Sequence, residues 1–142
     1  MPEPRIKTRP TGATASLGRT GFPHVVSVTG GTIDIVTGPS QPGFNPIDLL
    51  YASLSACLAM SARVAASQIG VIDRVTRITV SVKGEKATDG PGRVRAFAIA
   101  FTIAGDIDQQ TRETIARVAE EICTVSNTLR GDPEITTTVA AD

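Results

Sequence analysis

The sequence predicts an α+β domain in which antiparallel strands pack around one long, buried helix that carries a cysteine. Three observations predict this fold class: short alternating strands separated by glycine turns near the beginning, a long apolar helix after Asn45-Pro46, and two further alternating strands followed by an amphipathic helix. The 142 residues suffice for one domain, residues 1–142, with a core of its own.

Composition limits the classes of function. Fourteen basic and fourteen acidic side chains cancel, so we expect neither nucleic acid nor an anionic membrane as a partner. Residues 1–10 carry prolines and a short basic run, which predicts a mobile arm without a secretory signal. The longest apolar stretch, Leu49 to Ala62, contains serines and is too short and too polar for a membrane span. We therefore expect a soluble, cytoplasmic protein.

Three short strands are predicted before residue 40. Their sequences alternate and are separated by glycine turns, which indicates an antiparallel meander; they are Ala13 to Leu17, His24 to Val28 and Thr32 to Val36. The proline- and glycine-containing segment from Thr37 to Phe44 is predicted to be a loop.

A long helix should follow directly. Asn45 is a good N-cap, Pro46 suits the first helical position, and Asp48 places an acid in the first turn. We expect the helix to run to about Ile69 and to stop at Gly70. It is apolar nearly all round, and one domain of this size cannot easily cover such a helix. We therefore predict a homodimer.

The remaining elements are a hairpin, a second helix and a last strand. Val75 to Lys83 alternates strictly, and Val94 to Ile103 places its large apolar residues on one face. An amphipathic helix is predicted from Asp108 to the region of Cys123. One short helical turn and a final strand complete the prediction; they cover Ser126 to Leu129 and Glu134 to Ala140.

The two cysteines carry the chemistry that the sequence indicates. A thiolate is a strong nucleophile towards peroxide oxygen, and a second thiol within reach can close the resulting sulfenic acid to a disulfide. Cys57 lies in the long helix and Cys123 follows the amphipathic one. Either cysteine alone is more typical of a small buried hydrophobe. With His24 as the only histidine, and most simply a surface residue, we expect no metal site and no cofactor.

Two motifs together resemble the OsmC/Ohr family, the osmotically inducible protein C and organic hydroperoxide resistance proteins. They are Asn-Pro-x-x-Leu-Leu…Ala-Cys, residues 45–57, and Cys-x-Val-Ser-Asn-x-Leu, residues 123–129. The order of predicted elements agrees with the family across nearly the whole chain. The resemblance implies an intertwined homodimer with two active sites at the subunit interface.

The resemblance also implies roles for individual residues. Cys57 would attack an organic hydroperoxide, and Cys123 would resolve the sulfenic acid as a disulfide that an external dithiol reductant reopens. Arg19 matches the family arginine that pairs with the reactive thiolate. The peroxidase members hold that arginine with a glutamate directly after Asn-Pro, where this chain has Ile47. Asp48 is the neighbouring carboxylate, turned by about 100° on the helix.

An apolar pocket is expected beside Cys57, and it favours an organic or fatty-acid hydroperoxide over hydrogen peroxide. Its candidate lining residues are Phe44, Leu54, Leu58 and Met60. The sequence thus predicts a thiol-dependent organic hydroperoxide reductase. The departure at Ile47 leaves an alternative open: an OsmC-like protein with little peroxidase activity that binds a small apolar ligand at the dimer interface.

Overall fold

The described residues form five strands, three α-helices and one 3₁₀ turn. The structure is a computed structural model that describes residues 10–38 and 40–141, so the predicted arm lies outside the described residues except for its last position. The predicted α+β class is confirmed. In chain order the elements are β1 (Ala13–Ser16), β2 (His24–Ser27), β3 (Thr32–Asp34), α1 (Pro46–Gln68), a 3₁₀ turn (Ile72–Arg74), β4 (Val75–Lys86), β5 (Val94–Gly105), α2 (Gln109–Ile122) and α3 (Thr124–Arg130).

The chain divides into two compact units, with the boundary between Leu49 and Leu50. In the first unit, β1, β2 and β3 form the predicted antiparallel meander, in the order β1-β2-β3. His24 and Asp34 lie opposite each other on neighbouring strands, and their side chains are hydrogen-bonded at 2.7 Å on the surface. His24 is therefore the surface residue that the sequence suggests.

Helix α1 begins and ends where its sequence predicts. The Asp48 amide donates to Asn45 Oδ1 at 2.8 Å, and the Asn45 amide donates to Asp48 Oδ2 at 3.0 Å. This reciprocal pair satisfies two amides that have no partner within the helix. At the other end, Gly70 adopts a φ of 80°, a left-handed conformation that terminates helices and favours glycine.

The second unit buries α1 against the β4–β5 hairpin, α2 and α3. Alanines of α1 share one apolar cluster with residues of β5 and α2; the cluster contains Ala62, Ala65, Ala66, Ile103, Ile115 and Ala119. A second cluster is built from Leu54, Leu58 and Cys123, with Cys57 and apolar residues of β4 and β5 around it. Both cysteines therefore lie in the second cluster.

The predicted last strand, Glu134 to Ala140, is wrong for the single chain. Residues 132–141 have no regular secondary structure, and Ile135 and Val139 are 85% and 92% exposed. The segment alternates as a strand does, but a strand also needs an edge that accepts its hydrogen bonds. Within the described part of the chain, no strand pairs with this segment.

The expected apolar segment, Leu49 to Ala62, is shorter than the helix that contains it. Helix α1 extends beyond Leu49 to Ala62 in both directions, and its 23 residues reach a mean hydropathy of 1.5 over an 18-residue window. By length and composition alone, α1 is long and apolar enough to cross a membrane. The core helix of a soluble protein can have the same length and composition. Because α1 supplies buried residues to both apolar clusters of the second unit, we interpret it as a core helix.

Candidate functional site

The structure brings the two cysteines together. Cys57 lies near the middle of α1 and is half-buried, whereas Cys123 lies between α2 and α3 and is fully buried. Both are free thiols, and Cys57 packs against the apolar cluster that contains Cys123. A nucleophilic thiol and a second thiol that could resolve it are thus neighbours in one apolar cluster.

Cys123 owes its position to the junction between α2 and α3. Its backbone leaves the helical conformation at ψ 113°, which ends α2, and it becomes the N-cap of α3. Its Sγ accepts a hydrogen bond from the Ser126 amide at 3.3 Å. The Asn127 side chain donates to the Glu121 carbonyl at 3.1 Å and fastens the junction. The Cys-x-Val-Ser-Asn motif therefore holds one thiol in a fixed place.

Cys57 is surrounded by hydrogen-bond donors. Burial raises the pKa of its thiol, but hydrogen bonds from the Val125 amide, the Cys123 thiol, the Ser61 hydroxyl and the Thr124 amide together bring that pKa below its ordinary value. These four groups are neutral, so the thiolate is stabilised by oriented dipoles. A larger fraction of Cys57 is therefore ionised near neutral pH than of a free cysteine.

Cys123 shows the opposite behaviour. Burial raises the pKa of its thiol, and the hydrogen bond with Cys57 raises it further, which outweighs the lowering effect of the Ser126 amide. Cys57 therefore ionises at a lower pH than Cys123. The pair combines the more acidic thiol with a neighbouring thiol that holds its proton more strongly.

The charged residues predicted for the site belong to the first unit. Arg19 is exposed in the turn after β1, and the Asp48 carboxylate caps α1 through its Oδ2 atom. Among the residues that the structure describes, no ion pair joins Arg19 to Asp48. Ile47 is half-buried in the first turn of α1. The catalytic roles of Arg19 and Asp48 stay predictions.

The three predicted pocket residues of the second unit do not share one surface. Leu54 and Leu58 are buried in the cluster that contains the cysteines. Met60 is 61% exposed and lines a different groove, together with Arg63 and Arg77. Phe44 belongs to the first unit and is exposed.

A cavity of about 200 Å³ lies beside the cysteine cluster. It is lined mainly by apolar side chains, with two arginines; the residues are Leu54, Arg95, Ala96, Phe97, Ile99, Ser126, Leu129 and Arg130. Leu54 is therefore the one predicted pocket residue that also lines this cavity.

Sequence reasoning missed the donors around Cys57. Thr124 and Val125 act through their backbone amides, which no side-chain pattern reveals. Ser61 could have been predicted as a neighbour of Cys57 from the sequence, because it follows Cys57 by four residues and so lies on the same side of α1. Across residues 10–38 and 40–141, no three His, Cys, Asp or Glu side chains cluster in a way that could hold a metal ion.

The sequence of the chain matches a model of one known protein family. The sequence model described as OsmC-like protein matches residues 38–138. None of the curated protein sequences matches the chain.

Several solved structures match over most of the chain. An organic hydroperoxide resistance protein OsmC, predicted redox protein, from Legionella pneumophila is 22% identical, with a TM-score of 0.72, over 89% of this chain and 93% of that one. The organic hydroperoxide resistance protein OhrB of Bacillus subtilis is 22% identical, with a TM-score of 0.68, over 87% and 93%. An OsmC-like protein from Mycoplasma pneumoniae is 20% identical, with a TM-score of 0.75, over 88% and 90%. At this identity the likeness establishes the fold.

Proposed function

Because the chain belongs to the OsmC-like family, we propose that it is a thiol-dependent peroxidase that reduces organic hydroperoxides. The observation that carries the proposal is the cysteine pair: Cys57 packs in one apolar cluster with Cys123, and the thiol pKa of Cys57 is lowered while that of Cys123 is raised. Two structures with the same fold, from Legionella pneumophila and Bacillus subtilis, are named organic hydroperoxide resistance proteins.

The reaction follows from the different ionisation of the two thiols. The Cys57 thiolate attacks the distal peroxide oxygen, the O–O bond breaks, and the alkoxide takes a proton and leaves as an alcohol. Cys57 is then a sulfenic acid. Cys123 attacks the Cys57 sulfur, an S–S bond forms, and the hydroxyl group leaves with the Cys123 proton as water. An external dithiol reopens the disulfide by two exchange steps, which is consistent with a cytoplasmic location.

Apolar surroundings support an organic substrate. Leu54 and Leu58 are buried beside Cys57, and Phe97 and Ile99 extend the apolar surface into the neighbouring cavity. Such a surface favours the hydrocarbon part of an organic or fatty-acid hydroperoxide by removing it from water. Hydrogen peroxide has no apolar part and gains nothing from these contacts.

Peptide mapping after stoichiometric oxidation tests this function. One equivalent of cumene hydroperoxide should be consumed per reduced chain, and the product should contain a Cys57–Cys123 disulfide. An equal amount of hydrogen peroxide should react more slowly and serves as the control. Consumption of cumene hydroperoxide that leaves Cys57 as a free thiol would contradict the proposal.

A homodimer is part of the same proposal. In the single chain α1 leaves the large apolar side chains of Met60 and Val64 61% and 47% exposed, and Ile69, directly after the helix, is 39% exposed. A second copy that covered them would remove this surface from water. Analytical ultracentrifugation at micromolar concentration should therefore give twice the mass of the chain, and a stable monomer would be evidence against the dimer.

The second candidate function is binding of a small apolar ligand with little peroxidase activity. Ile47 favours it, because the carboxylate that the peroxidase relatives carry at this position is missing. Alkylation of Cys57 across a pH series separates the two functions. The lowered pKa of Cys57 predicts an alkylation rate that declines at a lower pH than that of a free cysteine. An alkylation rate that already falls as the pH drops below about 8.5, the ordinary thiol pKa, supports the binding protein.

A further inference from the structure

The cavity beside the cysteine cluster combines apolar walls with two cationic side chains. Leu54, Phe97 and Ile99 line it, and they also pack in the cluster that contains the cysteines. Arg95 and Arg130 line it as well, and their side chains are 53% and 65% exposed. Arginine packs its apolar stem and keeps its charged group in water. A ligand in this cavity therefore meets hydrocarbon on the inside and positive charge towards the solvent.

Both arginines keep donors that the protein does not use. Arg95 pairs with Glu85 through its Nη2 atom. Arg130 donates from Nε to the Ser126 oxygen at 3.3 Å, and its Nη2 lies 3.7 Å from a Glu120 carboxylate oxygen, which is too far for a hydrogen bond. A guanidinium has five N–H donors. Among the described residues, the Nη1 groups of both arginines have no protein partner and can donate to a ligand.

A buried hydroxyl adds a third donor. Ser126 is only 3% exposed and lines the same cavity. Its oxygen accepts from Arg130, so its own proton is left for another acceptor. Among the described residues that line the cavity, none is acidic. A carboxylate only accepts hydrogen bonds and carries the opposite charge, so it suits this set of donors.

The volume of the cavity sets the size of the apolar part. An apolar cavity of about 150 Å³ accommodates benzene, and this one measures about 200 Å³. A chain of about six to eight carbon atoms therefore fits. Contact with Leu54, Phe97 and Ile99 removes such a chain from water, which favours binding.

We propose that this cavity binds a medium-chain carboxylate, with the chain against the apolar walls and the carboxylate held by Arg95, Arg130 and Ser126. Binding needs neither thiol and so goes beyond the peroxidase chemistry. That a hydroperoxide of such an acid is a substrate rests on the proposed function. Glu85 and Glu120 compete with the ligand, because each carboxylate lies beside one of the two guanidiniums.

NMR titration of the nitrogen-labelled full chain with octanoate tests the proposal. Octanoate should shift the amide signals of Leu54, Phe97 and Leu129, which line the cavity, and octanol should bind more weakly. Arg95→Gln and Arg130→Gln should each weaken octanoate binding about threefold, and the double variant about tenfold, since half-exposed ion pairs are individually weak. Octanol binding should not change. Equal losses for octanoate and octanol would overturn the proposal.

Arg117→Gln is the matched control. Arg117 pairs with Glu121 on the surface at 3.0 Å and does not line the cavity, so this variant also removes one cation and frees one acid. Its octanoate affinity should equal that of the parent. Glu120→Gln should strengthen octanoate binding about twofold, because it removes the competitor beside Arg130. A loss in Arg117→Gln as large as in Arg130→Gln would mean a general effect of charge and would contradict the site.

The titration uses no hydroperoxide and no reaction of a thiol, so the two proposals fail independently. Octanoate binding by a chain that forms no disulfide with cumene hydroperoxide would contradict the peroxidase alone. Disulfide formation by a chain that does not bind octanoate would contradict the carboxylate site alone.

Discussion

Replacing Cys57 by serine should lower cumene hydroperoxide consumption to the rate of the buffer blank. A serine hydroxyl is not ionised near neutral pH, and its oxygen cannot take the place of a thiolate sulfur in attacking a peroxide. Serine has nearly the shape of cysteine, and residue 57 is only half-buried, so the variant should fold. The measurement is the initial rate of hydroperoxide loss, with circular dichroism as the check on folding.

The matched variant is Cys123→Ser, which keeps the nucleophile and removes the resolving thiol. It should consume one equivalent of hydroperoxide and stop at a Cys57 sulfenic acid that dimedone traps. Turnover with a dithiol reductant should be lower than that of the parent chain. If Cys57→Ser consumes hydroperoxide as fast as the parent, the assignment of the nucleophile is wrong.

Truncation of the Leu58 side chain to alanine should strongly lower the free energy of unfolding. Its side chain is 0% exposed and packs in the cluster that holds Cys123. Leu58→Ala removes buried apolar surface and leaves a cavity, which costs about 2–5 kcal/mol of unfolding free energy. Urea titration followed by circular dichroism measures this loss at a fixed protein concentration.

Leu17→Ala is the control for that substitution, since it removes the same atoms from a side chain that is 62% exposed. Its effect should stay within about 0.5 kcal/mol, as is usual for surface positions. A Leu58→Ala variant that loses no more than Leu17→Ala would contradict the packing around Cys123.

The fold was predictable where local chemistry decides it. Asn45 and Asp48 set the start of α1 through their own side chains, and Gly70 ends the helix through its backbone freedom. Both signals act within four residues of the boundary that they set. The segment after residue 132 was not predictable in this way. Its alternation indicates a strand, but pairing depends on an edge elsewhere, which local sequence does not specify.

The candidate site was also predictable only in the part that local sequence motifs specify. The two cysteine motifs predicted which thiols to examine, and the structure brings these thiols together. The groups that tune Cys57 were missed, because two of them are backbone amides and every residue except proline has one. Ser61 resembled an ordinary small residue of a packed helix until its neighbour was known. Tuning of a reactive group depends on tertiary contacts that a motif does not encode.

The capping role of Cys123 has a consequence for how this chain can change during evolution. Its sulfur accepts from the Ser126 amide and so begins α3, a task that serine, threonine, aspartate or asparagine performs at least as well. A serine at this position would keep an acceptor for the Ser126 amide and would leave Cys57 in place. Loss of the second thiol by this substitution would therefore leave the N-terminus of α3 capped.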